Sequence, residues 1–301
     1  MSGISTPESP LLSPELLARL QCVELVTRKM FRGRMKGERR SPRKGQSVEF
    51  ADFRNYAPGD DLRLVDWNSY ARLERLFLKL FLEEEDLHFY PVIDASRSME
   101  FGEPAKLRLA CRLAAALGFV ALLRSDRVKV AVLGGESPRG PAVFRGRRSL
   151  WRMLDHLSRI APGRPVPLEQ GLRDFALRNP GRGIVVLLSD LMDKNGYESA
   201  LRYLATRQMD VYVLQILSAE ELEPELAGDL RLVDCEDGDA AEISVSAPLL
   251  ARYKKTLAAF VDGAREYCTR RGMGHAMVRS DAAVEDVVFG YLRRRGLIRR
   301  Q

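Results

Sequence analysis

Histidine and cysteine are scarce in this chain of 301 residues: three of the first and four of the second. Cys22, Cys111, Cys235 and Cys268 are widely spread, form no C-x-x-C pair, and have no two histidines near them in sequence. That spacing argues against a structural zinc site and against a disulfide framework, and leaves buried free thiols in a reducing compartment. No G-x-x-x-x-G-K-[ST] occurs, so any ATP hydrolysis falls to a partner. No G-x-S-x-G and no Cys/His arrangement offers a nucleophile. The longest apolar stretch, residues 114–123, is too short for a bilayer-spanning helix, which needs roughly 20 residues. Residues 1–14 carry no Lys or Arg and are rich in Ser and Pro, which reads as a disordered lead and not a signal peptide. A soluble, cytoplasmic protein is the expectation.

What is present is unevenly placed. Residues 28–44 hold nine basic side chains against Glu38 alone, a local +8, and residues 293–301 add +5. With a net charge of +7, the rest of the chain carries −6. The basicity therefore sits in two patches on a mildly acidic body, which weakens a nucleic-acid reading of the whole protein.

Residues 13–34 read as a helix, with Ser13 as cap, Pro14 in the first turn and leucines at helical spacing. Residues 48–53 and 62–65 read as short strands around the Ala57-Pro58-Gly59 turn, and 73–83 as another. From about residue 86 strands alternate with helices: strands near 87–94, 127–133, 142–144, 183–190, 210–217 and 276–279, and helices near 105–124, 150–160, 168–178, 197–207, 247–271 and 284–295. Near-continuous apolar strands separated by helices predict a mostly parallel sheet covered on both faces, an α/β fold. The domain division predicted is 1–85, a helix and small β segment, and 86–301, the α/β domain.

In such a sheet ligands bind at the carboxyl ends of the strands. Asp94 and Asp190 each stand at one, and Ser96 and Ser98 follow Asp94 at alternate positions. One carboxylate and two hydroxyls facing one way suit a hard divalent cation. Alternatively, the acids cap loops and helices while the hydroxyls satisfy backbone groups. The pattern resembles the metal-ion-dependent adhesion site (MIDAS) of von Willebrand factor A domains, D-x-S-x-S. That resemblance implies Mg²⁺, with Mn²⁺ able to substitute, held by Asp94, Ser96, Ser98 and Asp190, and completed by a partner's carboxylate. It also implies a threonine from a second loop, and there this chain has Val166, which cannot coordinate a cation.

Residues 45–72 carry Glu49, Phe50, Arg54, Tyr56, Gly59, Asp60, Asp61, Arg63, Asp66, Trp67, Ala71 and Arg72. In that spacing the segment resembles the signature of the DUF58 family, and the likeness continues through Phe101-Gly102 and Lys106 to Tyr291-Leu292-Arg293. The resemblance implies a von Willebrand A-like, Rossmann-like domain encoded alongside MoxR-type AAA+ ATPases. Its expected function is a non-enzymatic, chaperone-like adaptor that works with such an ATPase in assembling or maturing client proteins. Alternating arginines and aspartates can lock a small sheet through bidentate pairs. The same set, Arg54, Tyr56, Asp60, Arg63, Asp66, Trp67 and Arg72, also suits a partner-binding face, since Trp, Tyr and Arg are the usual anchors.

Two rivals remain. The basic run 28–44 could neutralise phosphates of a nucleic acid, though only Phe31 interleaves as a stacking ring. Asp60, Asp61, Asp66 and the acids 83–86 could form a metal-dependent phosphoesterase centre.

Overall fold

The computed structural model describes residues 11–26, 49–82, 88–135, 143–163, 166–206, 209–236 and 238–300. The chain divides into two units, residues 1–29 with 87–301, and residues 30–86.

Helix α1 (Pro14–Leu20) starts as its sequence dictates: the Ser13 hydroxyl accepts from the Leu16 amide at 3.2 Å, and Pro14 occupies the first turn. It stops at Leu20, shorter than the helix expected over 13–34. Strand β1 (Val23–Leu25) follows and pairs antiparallel with Ile298–Arg300 near the other end of the chain. Leu12, Leu16, Leu20 and Val23 are buried in the core of the larger unit. The division expected at residue 85 is corrected accordingly, because the apolar stripe of α1 is buried in the α/β unit. The basic run 28–44 lies outside the described residues.

In the smaller unit β2 (Glu49–Asn55) pairs antiparallel with β3 (Phe77–Leu82). The strand expected over 62–65 is instead a 3-10 turn, Leu62–Leu64, because the Asp61 carboxylate accepts from the Arg63 amide at 3.0 Å. Only Val65 bridges to Leu78. Asp66 then caps α2 (Trp67–Leu73), accepting from the Asn68 amide and the Ser69 hydroxyl, and Glu74 ends the helix in the left-handed region at φ 51°. β3 consequently begins at Phe77, later than expected.

The larger unit continues as β4 (His88–Asp94), α3 (Lys106–Leu123), β5 (Arg127–Lys129), β6 (Ala131–Leu133), β7 (Val143–Arg145), α4 (Leu150–Ser158) and α5 (Leu168–Arg178). Then come β8 (Gly183–Ser189), α6 (Glu198–Ala205), β9 (Met209–Leu217), α7 (Ala219–Leu222), β10 (Gly228–Val233), β11 (Ala240–Val245), α8 (Ala247–Arg270) and β12 (Gly274–Arg279). A π-helical turn, Asp286–Leu292, precedes β13 (Ile298–Arg300).

The main sheet has the order β12-β9-β8-β4-β5-β7, with β6 also pairing with β4. Every pairing is parallel except that of β7 with β5. All seven residues of β8 are buried. Ile184, Val186 and Leu188 face the core shared with α1, α3 and α4, while Val185 and Leu187 face the core shared with α5, α6 and α8. Strands with both faces covered need apolar side chains at every position, which is why their sequences run continuously apolar. This is a mostly parallel α/β architecture with helices on both faces of the sheet. Among the described residues no helix is long and apolar enough to cross a membrane.

Candidate functional site

Three loops meet at the carboxyl ends of β4, β6 and β8. The first follows Asp94. Its Oδ1 accepts from the Ser96 amide at 3.0 Å, and its Oδ2 from the buried Ser189 hydroxyl of β8 at 2.6 Å. The Ser96 and Ser98 hydroxyls lie 3.0 Å apart. The second loop follows β6, where Gly135 at φ +63° passes so close that a Cβ there would sit 2.6 Å from the Ala95 Cβ. Beyond it, the Gly163 amide donates to the Ala95 carbonyl at 3.1 Å, which joins Gly163 to the Asp94 loop. The third loop follows β8. Asp190 Oδ1 accepts from the Met192 amide at 3.0 Å, and Leu191 is held in the left-handed region at φ 62°. A non-glycine residue there costs about 1–3 kcal/mol, and such strain gathers at functional sites.

The structure thus brings Asp94, Ser96, Ser98 and Asp190 to one rim, with an addition the spacing did not announce. Lys106, the first residue of α3, is fully buried, and its Nζ donates to Asp190 Oδ2 at 2.8 Å and to Glu221 Oε1 at 2.5 Å. Glu221 belongs to a capping box on α7, its other oxygen accepting from the Ser218 amide at 2.7 Å. Burial disfavours the Lys106 ammonium, but the charges of Asp190 and Glu221 outweigh it and raise the pKa above the usual lysine value. Asp94 is pushed up to about 6, first by burial and then by the charge of Asp190. Glu236, in the β10–β11 turn, is also raised, by burial and then by Asp94 and Asp190. Lys194 ties that turn to the β8 loop through Asp234 at 3.2 Å.

As they stand, the donors do not fit a divalent cation. Each oxygen of Asp94 and Asp190 already accepts a hydrogen bond, and that of Asp190 Oδ2 comes from an ammonium. Two neutral hydroxyls remain, and the position where the resemblance calls for a threonine is Val166. Mg²⁺ ordinarily takes one or two carboxylates directly. Among the described residues no group of three or more His, Cys, Asp or Glu is set to hold a metal.

The signature segment is locked less symmetrically than its charges suggested. Arg54 makes a bidentate pair with Asp60, both contacts 2.7 Å. Asp61 and Asp66 serve as caps, and Asp66 also pairs with Lys79 at 3.2 Å. Among the described residues Arg63 and Arg72 make no ion pair; both are exposed, Tyr56 is half-buried, and Trp67 is 56% exposed with Tyr70 packed edge-on at 6.2 Å. Asp60, Asp61 and Asp66 are each committed to such a partner, and the acids 83–86 lie outside the described residues.

Spacing alone missed Lys106, Glu221, Ser189 and Glu236. Lys106 stands in the family likeness without a role, and Glu221 leaves a local signal, the S-x-x-E of its capping box. A cavity of about 570 Å³ is lined in part by Leu222 and Glu223, just past Glu221, and by Leu257, Arg265, His275 and Tyr291. His275 is linked back through Gln215, which contacts it at 3.1 Å and donates to the Asp190 carbonyl at 3.3 Å.

The chain is similar to known proteins over most of its length. Uncharacterized proteins of Mycobacterium bovis and Mycobacterium tuberculosis are 29% identical over 296 residues, covering 95% of this chain and 92% of each relative. Among solved structures, the conserved hypothetical protein BatB from Bacteroides thetaiotaomicron is similar at a TM-score of 0.42 and 18% identity, covering 65% of this chain and 91% of that one. Residues 52–260 match the family described as "Protein of unknown function DUF58". With that match spanning most of the α/β domain and part of the signature, the chain belongs to the DUF58 family.

Proposed function

We propose that this protein is a non-enzymatic, chaperone-like adaptor that uses the strand-end rim to dock a protein partner. The partner is a MoxR-type AAA+ ATPase or the client that this ATPase assembles or matures. The observation that carries the reading is the apolar fringe of the rim. Phe101 is 52% exposed and Met192 38% exposed, one on each of the two loops that hold the acid and hydroxyl groups, and Val166 is also 38% exposed. Large apolar side chains exposed together on one face suit a protein contact. Trp67, Tyr70 and Leu73, exposed on α2, support a second contact face.

The test is binding of the purified chain to the purified ATPase, measured by biolayer interferometry. Phe101→Ser and Met192→Ser together should weaken binding at least about tenfold, the loss of two apolar anchors. Their melting temperature should stay that of the wild type, since neither side chain is in the core. Binding unchanged by the double substitution would refute the rim as the docking surface.

A further inference from the structure

We infer that the ammonium of Lys106 is the resident cation of this rim, supplying the positive charge that the adhesion-site resemblance assigns to a divalent metal. The inference concerns the protein alone and holds whichever partner docks.

Three features of Lys106 make its placement specific. It is completely buried, which lysine almost never is without carboxylate partners. It opens α3, the positive end of the helix dipole, where a cation is disfavoured. Its ammonium nonetheless lies 2.8 Å from Asp190 and 2.5 Å from Glu221. Two unfavourable settings are thus offset by two carboxylates from two different strand ends. Glu103, three residues before Lys106, reinforces the same junction: its amide donates to Glu220 Oε1 at 3.2 Å. A Cβ on Gly102 would run into the Ser218 side chain. The loop after β4 is therefore stitched to the end of β9 on either side of Asp190, and the lysine lies at the centre of the seam.

A divalent ion brought to Asp190 would meet that ammonium at close range and compete with it for the carboxylate. Val166 removes the remaining oxygen, and nothing in the donor set replaces it. The two departures reinforce each other: with a cation built into the chain, the threonine is dispensable.

Calorimetric titration of the full chain with Mg²⁺ and with Mn²⁺ tests this, run on the wild type, Val166→Thr, and Val166→Thr with Lys106→Gln. The wild type and Val166→Thr should give no saturable binding at millimolar metal. Saturable wild-type binding that disappears in Asp94→Ala would overturn the inference. Saturable binding by Val166→Thr alone would also overturn it, because the missing hydroxyl and not the ammonium would then have kept metal out. Removing the lysine should lower the melting temperature at neutral pH, with part of the loss recovered in millimolar Mn²⁺. A Lys106→Gln chain as stable as wild type contradicts the inference. Val166 is exposed, so the single Val166→Thr test does not depend on the lysine variant folding.

Discussion

At Asp190 the sequence shows a strand-end acid and the structure shows half of a buried ion pair, and the two invite different mutants. Asp190→Ala leaves the buried ammonium of Lys106 with Glu221 alone. Breaking one side of a buried pair costs about 3–5 kcal/mol, so urea unfolding should show a loss of that size. Asp190 variants therefore report on folding before they report on docking, whereas Phe101 and Met192 report on docking. Two groups also set opposite pH slopes. Burial, helped by Arg265 and Arg295, lowers His275 from 6.5 to about 4, so the unfolded chain takes up its proton first. Its contribution to stability is full above 6.5 and is lost as pH falls towards 4. Asp94 runs the other way, from 3.8 up to about 6: its cost is full above 6 and is relieved as pH falls towards 3.8. Melting curves across that range should flatten on the acid side for His275→Gln. Asp94→Asn should melt higher than wild type at neutral pH, and the gap should close in mild acid.

At the scale of elements, the cap on α2 gives a local test. Asp66→Ala removes bonds to the Asn68 amide and the Ser69 hydroxyl and the pair with Lys79. A lost cap costs about 1 kcal/mol, so hydrogen exchange over residues 67–73 should accelerate roughly fivefold while the β4–β8 amides stay protected. This cap also shows where the sequence was hard to read. Asp66 preceding Trp67 and Ser69 is a capping signature, yet the apolar spacing around it also suits a strand, and side-chain bonds to the backbone decided for helix. β1 is the reverse case: Val23 continues the helical spacing of Leu16 and Leu20, but pairing with the last strand overrides it. The β10–β11 hairpin goes unread although Leu230 and Leu232 alternate with Asp229 and Arg231, because its strands are short and mostly exposed. By contrast β4, α3, α5, β8 and β9 lie within one or two residues of expectation. Their apolar runs are long, and burial on both sheet faces leaves one solution.

For the molecule as a whole, the site was legible as far as its position and not its charge balance. The rule that ligands meet strand carboxyl ends located Asp94 and Asp190 on one rim. That Lys106 would turn inwards from the start of α3 depends on Glu221, more than a hundred residues later and on another strand end, which no local pattern encodes. The resulting picture is an α/β platform whose acidic centre holds a buried ammonium, with Phe101, Val166 and Met192 exposed on its loops. The most direct test of that picture is the affinity of the purified chain for a MoxR-type ATPase, measured with and without a chelator, for wild type and for the Phe101→Ser, Met192→Ser double variant. The account predicts binding that survives the chelator and falls at least about tenfold in the double variant. Binding abolished by the chelator, or indifferent to the two substitutions, would contradict it.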